Sequence, residues 1–194
     1  MKNTIRMIGI IVIVIIAFSI TACKNDPDPD QIYKIGDTGP GGGKVFYDKG
    51  NNTDGWRYLE VSITFLGDLP WASSNIDVAG LTYWDSANIG LGKSNTAAII
   101  AAHLGDTSAN NAAKACVDYR GPNDKTDWFL PSVNELTEIW EQKTYLGITF
   151  TTDRVWSSSQ SNTNQAYYLQ TANGGQNNVA KDEIYSVLAV RAFK

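Results

Sequence analysis

Apolar positions along this chain fall into short runs rich in aromatic and β-branched residues, with helical spacing confined to the middle. Lys44-Val45-Phe46-Tyr47 and Trp56-Arg57-Tyr58-Leu59-Glu60-Val61 flank a Gly/Asn/Asp loop. That arrangement predicts a β-hairpin with a long connection. No period holds between Leu66 and Gly92, where Trp71 and Trp84 sit among Gly, Ser and Asn, so a long packed loop is expected there. Three helices follow. The first runs from Thr96 to Leu104 behind a cap at Ser94, and the second from Ala109 to Arg120, with Ala112, Ala113, Cys116 and Val117 on its apolar side. The third, Val133 to Lys143, has the strongest signal: Ser132 and Glu135 form a capping box, and Leu136, Ile139 and Trp140 form a buried stripe. Glu135, Glu138 and Glu141 recur every three residues, the spacing of a solvated face. Strand patterns close the chain at Val155-Trp156-Ser157, Ala166 to Gln170, and Ser186 to Phe193. The last is apolar on both faces, which predicts a central place in a sheet. Hairpin first, helices next and strands last indicate an α+β domain: a mixed or antiparallel sheet, two to three flanking helices and long loops.

The N-terminus carries an address. Lys2 and Arg6 precede an apolar stretch from Met7 to Ile20. The sixteen residues from Met7 to Ala22 are fewer than the ~17–25 that span a bilayer, so the segment reads as a signal peptide. Ile20-Thr21-Ala22-Cys23 resembles the lipobox of bacterial lipoproteins, which implies cleavage before Cys23 and a lipid on its thiol. The expected organisation is a signal peptide over 1–22, a lipidated cysteine and acidic tether over 23–34, and one domain over 35–194. In the tether, Asp26-Pro27-Asp28-Pro29-Asp30 repels itself and cannot continue a helix, so it stays extended. The expected location is the extracytoplasmic side of the bacterial envelope. Lys24 rather than aspartate after the cysteine points to the outer membrane or cell surface.

Composition refines this picture. Forty-three per cent hydrophobic residues can fill a core in a domain of this size without disulfide staples. Without Lys2 and Arg6, 14 basic residues face 20 acidic ones, a net charge of −6. The chain therefore lacks the footprint of a nucleic-acid binder. With Cys23 lipidated, Cys116 has no disulfide partner and reads as a buried thiol.

Candidate chemistry is sparse. Ala87-Asn88-Ile89-Gly90-Leu91-Gly92-Lys93-Ser94 fits a relaxed phosphate-loop pattern, but no apolar run ends in a magnesium-binding aspartate, so a glycine-rich turn opening a helix is expected and no nucleotide. His103, the single histidine, cannot build a histidine-rich metal site and is expected to interact with a helix C-terminus. Asn123, Asp124 and Asp127 could offer oxygens to calcium, or could simply form a turn. No catalytic constellation and no cofactor is expected. The segment from Ser157 to Asn178 is nearly uncharged and rich in amides and tyrosines, which suits recognition of sugars or peptides; the same residues also populate ordinary loops and edge strands. Its candidate ligand-binding residues are Gln160, Asn162, Asn164, Tyr167, Tyr168, Gln170, Asn173 and Asn177.

An ordered series of motifs adds a family resemblance. It comprises Gly39-Pro40-Gly41-Gly42-Gly43-Lys44-Val45-Phe46-Tyr47-Asp48, Gly55-Trp56-Arg57-Tyr58-Leu59-Glu60, Ile89 to Thr96, Ala113 to Cys116, Asp127-Trp128-Phe129-Leu130-Pro131-Ser132 with Glu135-Leu136, Trp156-Ser157-Ser158-Ser159, and Val190-Arg191-Ala192-Phe193. Together, from about Gly36 to the last residue, these resemble the Lcl C-terminal domain family. The resemblance implies a C-type-lectin-like fold related in shape to the formylglycine-generating enzymes, with paired first and last strands and long loops forming a binding surface. It makes Trp128, Trp156 and Arg191 structural. The cysteine pair of the formylglycine-generating enzymes is missing here, as are the calcium-and-sugar motifs of animal C-type lectins, so neither activity is implied. The expected function is a surface-anchored module that binds an extracellular glycan or protein, as an adhesin does, rather than an enzyme. An envelope enzyme or accessory with an unrecognised site, and a structural envelope protein, stand as alternatives.

Overall fold

The computed structural model describes residues 31–72, 76–103 and 110–194. Cys23, the apolar stretch and most of the tether lie outside them, as do Leu104 and Ala109 at the ends of two expected helices. Among the described residues, no helix is long and apolar enough to cross a membrane.

The fold is α+β, and the described residues form two sheets and four α-helices. The expected hairpin forms from β1 (Lys44–Asp48) and β2 (Tyr58–Val61), which pair antiparallel. The last strand, β9 (Val190–Phe193), lies between β2 and the two-residue β4 (Trp128–Phe129), giving a sheet of order β1-β2-β9-β4. The other sheet has the order β3-β8-β5-β6-β7, built from β3 (Asp68–Pro70), β5 (Arg154–Gln160), β6 (Gln165–Gln170), β7 (Gly175–Ala180) and β8 (Ile184–Ser186). It is mixed, since β5 and β8 run parallel while its other pairs are antiparallel. The packed domain begins slightly before the expected boundary: the Tyr33 ring packs edge-on against Tyr58 and Phe193, at 5.3 and 5.1 Å between centroids.

The single terminal strand expected from Ser186 to Phe193 is in fact two. β8 ends at Ser186, and β9 begins at Val190 in the other sheet. The crossing backbone is satisfied by the 62–67 segment: Ser62 N–H donates to Ala189 O (2.8 Å), Leu66 N–H to Val187 O (2.9 Å), and Ala189 N–H to Ser62 Oγ (3.1 Å). Both faces are apolar because the run passes between two cores. Val187 and Ala189 enter one with Trp71, Trp156 and Ile99, and Leu188 enters the other with Phe46, Leu136 and Ile139.

The long segment between Leu66 and Gly92 is not all loop, since it holds β3 and a short α1 (Tyr83–Ser86). α2 (Gly92–Ala102) starts earlier than expected, and Ser94 does not cap it: its hydroxyl donates back to Leu91 O at 2.9 Å. α3 is short (Ala112–Asp118), and Asn111 caps it by accepting from Lys114 N–H at 2.9 Å. α4 (Val133–Leu146) opens on the expected capping box and ends on Gly147, whose φ of 65° is left-handed.

Leu188 has 1% exposure and packs in the core with Phe46, Leu136 and Ile139. Truncation to Ala should lower the unfolding free energy by about 2–5 kcal/mol, read by urea denaturation with an unchanged m-value.

Candidate functional site

The phosphate-loop-like run is already occupied by an internal carboxyl group. Glu135 is fully buried at the start of α4. Its Oε1 accepts from Gly90 N–H at 2.8 Å and, at a longer 3.4 Å, from Gly92 N–H, while Oε2 accepts from Ser132 N–H at 2.8 Å. Glycine is required at position 92, because a Cβ there would run into the Glu135 carboxylate and Leu130 O. The loop amides that could have cradled a phosphate hold this carboxylate, and Lys93 points into solvent. The solvated face expected for Glu135, Glu138 and Glu141 is thus corrected at its first member. Helical spacing located the residue, and a loop 43–45 positions upstream captured it.

Glu60 repeats the device. It is fully buried on β2, with Gly41 N–H on Oε1 (2.8 Å), Gly43 N–H on Oε2 (2.9 Å) and Arg191 Nη1 on Oε1 (2.9 Å). Arg191 Nε also donates to Asp127. That ion pair employs one of the three calcium candidates, and Asn123 Nδ2 donates to Pro40 O at 3.1 Å. Among the described residues, no group of three or more His, Cys, Asp or Glu side chains is placed to hold a metal. His103 follows α2, with Nδ1 2.7 Å from Ile99 O, at the helix C-terminus as expected.

The eight C-terminal candidates do not form one surface. Gln160 is a core residue: its Oε1 accepts from Val78 N–H (3.0 Å) and from Lys181 Nζ (2.6 Å), and its Nε2 donates to Asp77 (2.9 Å). Lys181 is itself buried over the Trp71 ring at 4.5 Å, and desolvation lowers its pKa to about 8. Asn162 and Asn173 build turns, accepting from Asn164 N–H and Gly175 N–H, each at 2.9 Å. Asn164 is exposed in the first of these turns, and its carbonyl accepts from Lys181 N–H.

The remaining four sit on the β6–β7 ribbon, where strand alternation divides them between its faces. Tyr168, opposite Asn177, shares a face with Gln170, which lies opposite Arg154. On that face the Arg154 guanidinium lies 5.6 Å from the Tyr168 ring and 5.2 Å from that of Tyr185, and it donates to Tyr185 Oη at 3.0 Å. It borders an open cleft of about 280 Å³ whose walls include Asp68, Asp153 and Ser186. Tyr167, opposite Asn178, lies on the other face, its ring 4.9 Å from that of Tyr83.

This second face carries the most unusual feature of the surface. Trp84 is 84% exposed, edge-on to Tyr83 at 5.3 Å. Tyr83 is held in turn: its hydroxyl donates to Gln176 Oε1 (3.2 Å), and Gln176 Nε2 donates to Asn134 Oδ1 and Thr137 Oγ1 (both 3.0 Å). The rings of Trp84 and Tyr167, inclined to that of Tyr83 by 84° and 52°, therefore form with it a stepped aromatic platform edged by amides and anchored at Tyr83. Tyr167 alone of its members was among the sequence candidates. Trp84 carries no period or motif, so only its exposure reveals it.

Burial raises the Glu135 carboxyl from 4.5 to about 7, against the pull of its three backbone donors. Below pH 4.5 the folded and unfolded chains both hold this proton. Between 4.5 and 7 only the folded chain keeps it, so stability falls across that window and levels off above it. The unfolding free energy of the parent relative to Glu135→Gln should drop by about 3 kcal/mol between those pH values, measured by urea titration at stepped pH.

No family model matches the chain, and no curated protein does. Among solved structures it is similar to a fimbrial protein from Bacteroides ovatus ATCC 8483, at 14% identity and a TM-score of 0.47. The likeness covers 72% of this chain and 37% of that one, so the chain spans little more than a third of that protein's length.

Proposed function

We propose that this chain is a lipid-anchored, extracytoplasmic binding module of the C-type-lectin-like kind that recognises an uncharged glycan on the Trp84–Tyr83–Tyr167 platform. The carrying observation is the exposure of Trp84 on a fixed support. Leaving such a side chain in water forgoes roughly 3 kcal/mol of burial, a cost that ligand contact recovers. Flat apolar rings with amides at their edge suit sugar rings, which offer C–H faces for stacking and hydroxyls for hydrogen bonds. Exposed Asn178, opposite Tyr167, is placed to supply such a bond. The only carboxylate within α1, Asp85, is engaged by the Thr82 hydroxyl. Binding that rests on stacking and neutral hydrogen bonds depends little on salt.

The test is titration of the full chain in detergent with uncharged oligosaccharides, followed by tryptophan fluorescence at low and high salt. Trp84→Ala and Tyr167→Ala should each weaken binding about tenfold or more, a loss of about 1.4 kcal/mol. Tyr168→Ala, on the opposite face, should leave it within about twofold. Saturable binding unaffected by Trp84→Ala would remove the platform from the proposal, and the absence of any saturable binding would remove the glycan. The anchor has its own test: Cys23→Ser should move the chain from the membrane fraction to the soluble fraction.

A further inference from the structure

The two sheets have four edges, and three of them are blunted. β3 is three residues long, ends in Pro70 and starts with Asp68. β4 is two residues long. β1 carries Lys44 and Asp48 and loses register between Val45 and Tyr47. These are the usual means by which sheet edges avoid pairing with other chains: shortness, proline, charge and bulges. β7 has none of them. It is six residues of Gly-Gln-Asn-Asn-Val-Ala, uncharged and free of proline, in unbroken register with β6 from Gln165↔Ala180 to Gln170↔Gly175. Among the described residues, the backbone of Gln176 to Val179 makes no hydrogen bond outside that ladder.

The open edge is also rigid. At one end Gly174, at φ 72°, packs so closely on Trp140 that a Cβ would come within 2.7 Å of the ring. At the other end Lys181 N–H donates to Asn164 O (3.0 Å) and its side chain is buried. In between, Gln176 is tied to α4 through Asn134 and Thr137.

We propose that β7 pairs antiparallel with β7 of a second copy of this chain, about a two-fold axis normal to the sheet, to make a continuous ten-stranded sheet. Self-pairing is favoured by what the strand lacks. About a two-fold axis any charge near the middle of the strand meets its own copy, and β7 has no charge although 19% of the chain is charged. The axis passes beside Asn177 or Asn178, so an amide meets the same amide and each supplies the donor and the acceptor the other needs. Directly opposed residues share a face, so the aromatic platforms of both copies lie on the same side.

The test uses the full chain in membranes, with Asn177→Cys or Asn178→Cys under mild oxidation. Opposed residues in an antiparallel pair are about 4.5–5.5 Å apart at Cα, within disulfide reach. One of the two variants should give a reducible dimer severalfold in excess of the parent chain and of Ile184→Cys, an exposed control away from the edge. In detergent, light scattering should show the parent at twice the protein mass of the folded double variant Asn177→Lys/Asn178→Lys. No excess of cross-linked dimer from either cysteine overturns the proposal. So does a parent that is monomeric at all concentrations, or a lysine variant that keeps the parent's mass.

Discussion

Two buried carboxylates, each solvated by the backbone of a glycine-rich loop, hold this fold to one arrangement. A carboxyl group sealed from water is destabilising unless its oxygens are hydrogen-bonded. Glu60 meets that demand through Gly41, Gly43 and Arg191, and so binds the N-terminal loop, β2 and β9 to one another, with Asp127 beside β4 joined through the same arginine. Glu135 meets it through Gly90, Gly92 and Ser132, and so ties the entry of α2 to the entry of α4. A loop displaced from either carboxyl group leaves buried oxygens without hydrogen-bond partners, so the loops are determined as strictly as the strands. The glycines follow from this. At positions 39, 41 and 43 a Cβ would fall on the Glu60 carboxylate or on the backbone beside it.

The same arrangement explains how much of the fold could be read from the chain. Local signals were legible. The β1–β2 hairpin lies where β-branched and aromatic runs flank a polar loop, and the capping box of Ser132 and Glu135 marks the start of α4. The terminal apolar run ends in an interior strand, β9, flanked by β2 and β4. What escaped was set by pairing and packing partners rather than by the local pattern. β7 contains almost no strand-forming side chains and exists through its ladder with β6. The break between β8 and β9 depends on Ser62 and Gly67, more than 100 residues away. Gln160 looks like any surface amide until Val78 and Lys181 are folded onto it.

The candidate site was legible to a similar degree. The amide- and tyrosine-rich C-terminal segment coincides with the β6–β7 ribbon, because hairpins that need few apolar side chains have room for polar ones. Its composition could not show which residues build turns or that alternation separates Tyr167 from Tyr168. The most exposed aromatic ring, Trp84, comes from α1 and joins the ribbon through Tyr83. A run of residues in sequence and a surface in space are different sets, and pleating is the reason.

That pleat also governs how the protein can change. Tyr167 and Asn178 point away from the face on which Tyr168 packs against Trp156 and Tyr185, so substitutions at the former pair leave the latter packing untouched. Replacement along the ribbon is therefore cheap at its exposed positions, such as Asn178, and costly at Leu169 and Gln176, which share the face of Tyr167 but are buried in the core or bonded to α4. Insertion or loss of one residue is costly throughout, because it turns each side chain beyond that point to the opposite face. A lineage carrying this domain can diversify the outward positions by point substitution over long periods while the length of the ribbon stays fixed.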